Sequence, residues 1–155
     1  MISNCVLTHS DTSIIRPWYI APNYFSRRVQ IHTGVDVSAD SVYSLCDGNV
    51  MYVGTDPDRL HQIVIIQYDA NSVFRYCNLS SVSVQAGAEV VIGQLVGTAD
   101  HFVHFEALQL NPPEMQFRVD IYNRNYYKID PTPYVDGTIQ LTSPSAYNQY
   151  KYQFK

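Results

Sequence analysis

The sequence is short of glycine, short of charge and without helical periodicity, and each shortage excludes something. No stretch approaches the roughly 18 consecutive apolar residues of a membrane span. No long window repeats its apolar positions every three to four residues, so a helical bundle is excluded as the main architecture. Charged residues make up 15% of the chain, against about 25% in an average globular protein. Ten basic residues face 14 acidic ones, for a net charge of -4. With no basic excess and no basic run, the chain is not expected to bind nucleic acid or an anionic membrane. The first residues lack a basic start followed by an apolar run, so a secretory signal is not expected. The three cysteines, Cys5, Cys46 and Cys77, are odd in number and lack metal-type spacing. They read as free, mostly buried thiols of a protein made in a reducing cytosol. Glycine occurs seven times, where average usage of about 7% would give roughly 11.

Strand signals and tyrosine are abundant. The 155 residues suit one domain. Short β-branched or aromatic runs lie at Ser41 to Leu45, Asn49 to Val53, Gln62 to Tyr68, Val73 to Cys77, Glu89 to Ile92, Leu95 to Val96 and Phe102 to Leu108. Turn residues such as Asp47-Gly48, Pro57, Gly87 and Gly93 separate them. Strands at this spacing predict an all-β fold of sandwich or barrel type.

The two ends read differently from the middle. Residues 1–30 contain Pro17, Trp18, Tyr19, Pro22, Tyr24 and Phe25 and read as an extended aromatic arm. The C-terminal tail, 135–155, places Tyr150, Tyr152 and Phe154 at period two. The domain proper is expected over 31–134. The terminal aromatics either pack back on the domain or dock on a neighbouring subunit, and tyrosine suits both, having a large ring and a polar tip. Low charge and abundant tyrosine fit burial within an assembly of other structural proteins.

One constellation carries chemistry. His32-Thr33-Gly34-Val35-Asp36 is an HxGxD pattern, and His104 sits in the run Phe102-Val103-His104-Phe105-Glu106. Two imidazoles and a carboxylate make a three-ligand zinc set with one position left for water. Alone, this pattern fits polar loop residues and a satisfied core histidine better than a metal site.

The order of the surrounding blocks adds weight. HTGVDVSA, VYSLCDGNVMYVG, IVIIQY, YCNLSSVSVQAGAEVVIGQLVG, FVHFEAL and DPTPYV follow one another between His32 and Tyr134. In that order they resemble the LytM/lysostaphin-type zinc endopeptidases, which cut peptide cross-links of bacterial cell walls. The resemblance implies a compact antiparallel β-sandwich with extended arms, and a zinc site built from His32, Asp36 and His104. It also implies two catalytic histidines that this chain lacks. Asn78 stands in the Y-x-H-L stretch and Phe102 stands at the first histidine of HxH. The long Gly/Ser/Thr-rich segment that walls the family's groove is trimmed to Gly97 through His101, where much of the missing glycine belongs.

Asn78 makes hydrogen bonds but takes no proton near neutral pH. General acid–base help is typically worth 10²–10⁴-fold, so turnover is expected to be largely lost. His101 substitutes only if a bulge turns it toward the metal, because alternation places it opposite 102 and 104. Tyr76 and Tyr68 are further candidates for rearranged proton chemistry. His61 reads as a surface histidine, and Glu106 as a group that orients an imidazole. Three readings follow. The first is a degenerate peptidoglycan endopeptidase-like domain, structural or wall-contacting, in a bacteriophage tail or baseplate. The second is an active zinc endopeptidase. The third is a hydrogen-bonded remnant that has lost its metal. The first implies a protein made in the host cytoplasm and carried in the virion. Its alternative is the bacterial cytoplasm or the envelope reached by a non-classical route.

Overall fold

The computed structural model describes residues 2–5, 7–8, 10–20, 31–55, 61–139 and 141. Tyr24 and Phe25 of the arm, and Tyr147 through Phe154 of the tail, lie outside the described residues. The arm contributes β1 (Ile2–Cys5), β2 (Ser10–Thr12), β3 (Ile14–Arg16) and β4 (Tyr19–Ile20). Then follow β5 (Ile31–His32), β6 (Val35–Ser38), β7 (Ser41–Tyr43), β8 (Gly48–Thr55), β9 (Gln62–Gln67) and β10 (Ser72–Val82). The last strands are β11 (Glu89–Val90), β12 (Leu95–Gln109), β13 (Arg118–Ile121) and β14 (Arg124–Ile129), before the single turn of helix α1 (Thr132–Val135). The fold is all-β with antiparallel pairing, as the sequence predicts. Among the described residues no helix is long and apolar enough to cross a membrane.

Strand β12 organises the sheet. Along one edge it pairs with β10. Along the other it meets β7, β6 and β14 in turn. The runs Leu95 to Val96 and Phe102 to Leu108, expected as separate strands, are one strand. Gly97 allows the continuation, since a Cβ there would lie 2.1 Å from the Ser81 carbonyl oxygen. The trimmed loop survives as a bulge: the β10 register steps from Cys77↔His104 to Leu79↔Ala99.

Alternation gives the sheet two unlike faces. Val64, Ile66, Phe74, Tyr76, Val103 and Phe105 point into the main core. There the Phe74 and Phe105 rings stack at 5.4 Å, and Tyr76 meets Phe105 edge-on at 5.2 Å. The intervening residues Ile65, Arg75, Cys77, His104 and Glu106 face the opposite side and line a groove. The β13–β14 hairpin closes one end of that face. Its Ile121 and Tyr126 pack on Ile65, Val73 and Leu108. The hairpin was not expected. Its turn rests on Tyr122 and Asn123, both at positive φ (47° and 65°), and the tyrosine conceals that signal.

The arm lies partly on the domain. β3 pairs with β6, and β4 with β5. Trp18 packs against the core and meets Phe117 edge-on at 6.2 Å. Cys46 and Cys77 are buried and form no disulfide.

Candidate metal centre

Three strands bring the expected ligands together. His32 closes β5, Asp36 lies in β6 and His104 in β12, with Asp36 and His104 directly opposite in the ladder. Gly34 makes the close approach possible. A Cβ there would lie 2.7 Å from His104 Cε1 and 2.8 Å from the Phe105 carbonyl oxygen. This is the physical reason for glycine inside HTGVD.

The ligand atoms of His32, Asp36 and His104 lie within 4.8 Å of one another. His32 Nε2 is 3.4 Å from Asp36 Oδ1. Tetrahedral zinc bonds of about 2.0–2.2 Å place neighbouring ligands roughly 3.4 Å apart. The donor set suits zinc, and the His32–Asp36 separation has the required spacing, whereas His104 Nδ1 and Asp36 Oδ1, 2.6 Å apart, are hydrogen-bonded to each other.

Each ligand has an outer partner. His32 Nδ1–H donates to the Pro17 carbonyl at 2.8 Å, which leaves Nε2 facing the site. Asp36 Oδ2 accepts from Arg16 Nε, and Oδ1 accepts from His104 Nδ1 at 2.6 Å. His104 Nε2 donates to Glu106 Oε2 at 2.9 Å. Glu106 is itself clasped by Arg75 Nε at 2.6 Å and Lys128 Nζ at 2.9 Å. Lys128 also donates to Thr33 Oγ1 at 2.8 Å, beside His32.

The electrostatics follow. Burial alone would favour neutral His104, but its bonds to the Asp36 and Glu106 carboxylates outweigh burial and raise its pKa. Burial alone would raise Asp36, yet His104 and Arg16 hold it below the ordinary carboxylate range. Glu106 resists the same burial through His104, Arg75 and Lys128 and is brought down to about 2. Both carboxylates are thus ionised acceptors. A metal at His104 Nδ1 would displace the proton that Asp36 now accepts.

The residues expected to substitute in proton transfer are not at the site. The bulge needed for His101 exists, but the residue adopts φ 75°, and its side chain is 90% exposed and faces Asp100. Tyr76 is wholly buried on the other face, its hydroxyl accepting from the Leu45 amide, and burial pushes its pKa up. Tyr68 also belongs to that core face, packed on Phe74. His61 is half-buried just ahead of β9. Asn78 adopts φ 67° at the bulge, and its Nδ2 donates to the Phe102 carbonyl at 2.8 Å. Asparagine tolerates this left-handed backbone, so its role here is to pin the bulge. Phe102 lies beneath the Arg16 guanidinium, 4.8 Å from ring centroid to Cζ.

Sequence reasoning missed Arg16, Arg75 and Lys128. Alternation would have found Arg75, which faces Glu106 across the ladder. The other two depend on strand pairings far apart in sequence. The groove beside His104 has a volume of about 530 Å³. The Tyr122 hydroxyl spans from the hairpin tip to the Met51 carbonyl at 2.9 Å.

The profile of Peptidase family M23 matches residues 30–131. No curated protein matches the chain. Among solved structures, LytU is similar at TM-score 0.61 and 16% identity, covering 82% of this chain and 86% of that one. The solution structure of lysostaphin is similar at TM-score 0.65 and 16% identity, covering 92% of this chain and 56% of that one. A chain of the SpoIIQ–SpoIIIAH pore-forming complex is similar at TM-score 0.61 and 18% identity, covering 87% of this chain and 90% of that one.

Proposed function

The chain belongs to Peptidase family M23, and from that premise we propose a degenerate peptidoglycan endopeptidase-type domain that keeps its metal site and has lost its turnover. The observation that carries the reading is the contrast between two sets of positions. His32, Asp36 and His104 stand together with outer partners in place. At the two positions where the resemblance calls for catalytic histidines, Asn78 is spent on a backbone carbonyl and Phe102 carries an arginine on its ring. Zinc, when bound, supplies a polarised carbonyl and an acidified water. What this chain's residues do is orient the ligands. None of the described groups beside them is a neutral base suited to moving a proton at pH 7.

We further propose that the domain serves as a structural or wall-contacting part of a multi-protein assembly, with a bacteriophage tail or baseplate as its setting. Low charge, abundant tyrosine and the thiol content support that reading. The occurrence of a similar fold in a pore-forming complex agrees with a role in assembly.

The test pairs two measurements on the purified protein. Metal analysis is expected to find about one zinc per chain, absent in His104→Ala. Incubation with cross-linked peptidoglycan and added zinc is expected to release no soluble muropeptides above buffer. Robust release overturns the loss of turnover, and a metal-free protein overturns the retained site. Recovery of the chain in intact phage particles tests the setting.

A further inference from the structure

The family match begins at residue 30, yet two of the three candidate ligands are held by residues before it. Consecutive positions of the arm do this. Arg16, the last residue of β3, donates through Nε to Asp36 Oδ2, and the next residue, Pro17, accepts His32 Nδ1–H on its carbonyl at 2.8 Å. The contacts are built into the pairing. Arg16 lies opposite Asp36 in the β3–β6 ladder, and Tyr19 lies opposite His32 in the β4–β5 ladder. Ser38 N–H adds a bond to the Ser13 carbonyl at 3.1 Å.

We propose that the arm segment 14–20 is a working part of the metal centre, with Arg16 the positioning residue for Asp36 and the Pro17 carbonyl the positioning group for His32. The inference deepens the reading of a retained metal site and rests on it.

Two arguments fix the direction of the effect. The Pro17 carbonyl only accepts, so it selects the Nδ1–H tautomer of His32 and leaves the Nε2 lone pair free for a metal. Arg16 binds the outer oxygen of Asp36 and leaves Oδ1 facing both histidines. The guanidinium is also a cation near a cation site, which opposes metal binding. Its side chain, however, is 57% exposed, so that repulsion is screened by water and salt. Its geometry is fixed, because the guanidinium rests on the Phe102 ring. Orientation therefore wins over repulsion. Phe102, useless as a base, acquires a role as the platform for this arginine.

The experiment uses the full chain. Zinc affinity is measured by competition with a chromophoric chelator for the wild type, Arg16→Ala, Arg16→Lys and the control Ile15→Ala. Ile15 lies on the same strand with its side chain exposed. Loss of an outer partner typically costs 10–100-fold in metal affinity. Arg16→Ala and Arg16→Lys are both expected to lose at least about 10-fold, because lysine keeps the charge but not the planar fork. Ile15→Ala is expected to stay within about twofold. Unchanged or tighter binding by Arg16→Ala overturns the proposal, as does full rescue by lysine.

A second readout needs no metal. In the chelated wild-type protein, long-range ¹H–¹⁵N spectra are expected to show neutral His32 as the Nδ1–H tautomer. The Nε2–H tautomer overturns the proposal. If the wild type binds no zinc, the retained-site reading fails, and the tautomer alone decides whether the arm holds His32.

Discussion

Replacing Glu106 with glutamine should destabilise the metal-free protein by about 3 kcal/mol. Glu106 is 2% exposed and joins His104, Arg75 and Lys128 into one cluster. Its pKa falls from an ordinary 4.5 to about 2, which corresponds to roughly 3 kcal/mol in favour of the ionised folded form. Removing one member of a buried ion cluster independently costs about 3–5 kcal/mol, because the cations left behind are uncompensated. Glutamine keeps the volume, so no cavity contributes. For a chain of this size, about 2–4 °C per kcal/mol converts the loss to about 6–12 °C in melting midpoint. Because the folded pKa is depressed, the stabilisation is complete above pH ~5 and disappears as pH falls through about 2. Thermal melts of wild type and Glu106→Gln, both with chelator, should differ fully at pH 7 and by under about half as much at pH 3. A variant that melts within about 2 °C of the wild type at pH 7, or a gap that does not shrink on acidification, refutes the reasoning.

Two substitutions test the local geometry. Gly34→Ala drives a methyl into the His104 ring and the Phe105 carbonyl. It should cost about 1–3 kcal/mol as an overpacked site and weaken zinc binding in the chelator competition, whereas wild-type affinity would show that the approach of β12 to this turn is unnecessary. Asn78→Ala removes the bond to the Phe102 carbonyl and places a Cβ-branching-free but non-polar residue at φ 67°. Urea unfolding should show about 1–3 kcal/mol of lost stability, and Asn78→Gly should recover part of it.

The clustering of His32, Asp36 and His104 was legible in sequence because each sits in a local motif whose spacing survives without tertiary knowledge. His32, Gly34 and Asp36 lie within one turn and strand start, and His104 within one alternating strand. The core face was legible for the same reason: Phe74, Tyr76, Val103 and Phe105 obey period two. What failed was long-range. Arg16 lies 20 positions from Asp36 and Lys128 lies 95 from Thr33. Nothing near either cation in sequence announces its partner. The continuity of β12 was hidden because a bulge breaks the alternation at Asp100 to Phe102 while β6 still pairs with Phe102. His101 shows both sides of the problem. The irregularity it required is present, yet its left-handed backbone sends the side chain to solvent.

The two-faced sheet has a consequence for how this protein would relate to an ion. In small zinc modules the metal is a staple, and the chain collapses only around it. Here the aromatic and aliphatic face, with Phe74, Tyr76 and Phe105 at its centre, lies on the reverse of the strands that carry the ligands. The strands are held from behind, and the ionic face inherits its geometry from them. A metal held there would be a passenger on a scaffold assembled without it. On such a scaffold, the loss of catalytic residues or of an ion would leave the same shape available to a neighbour.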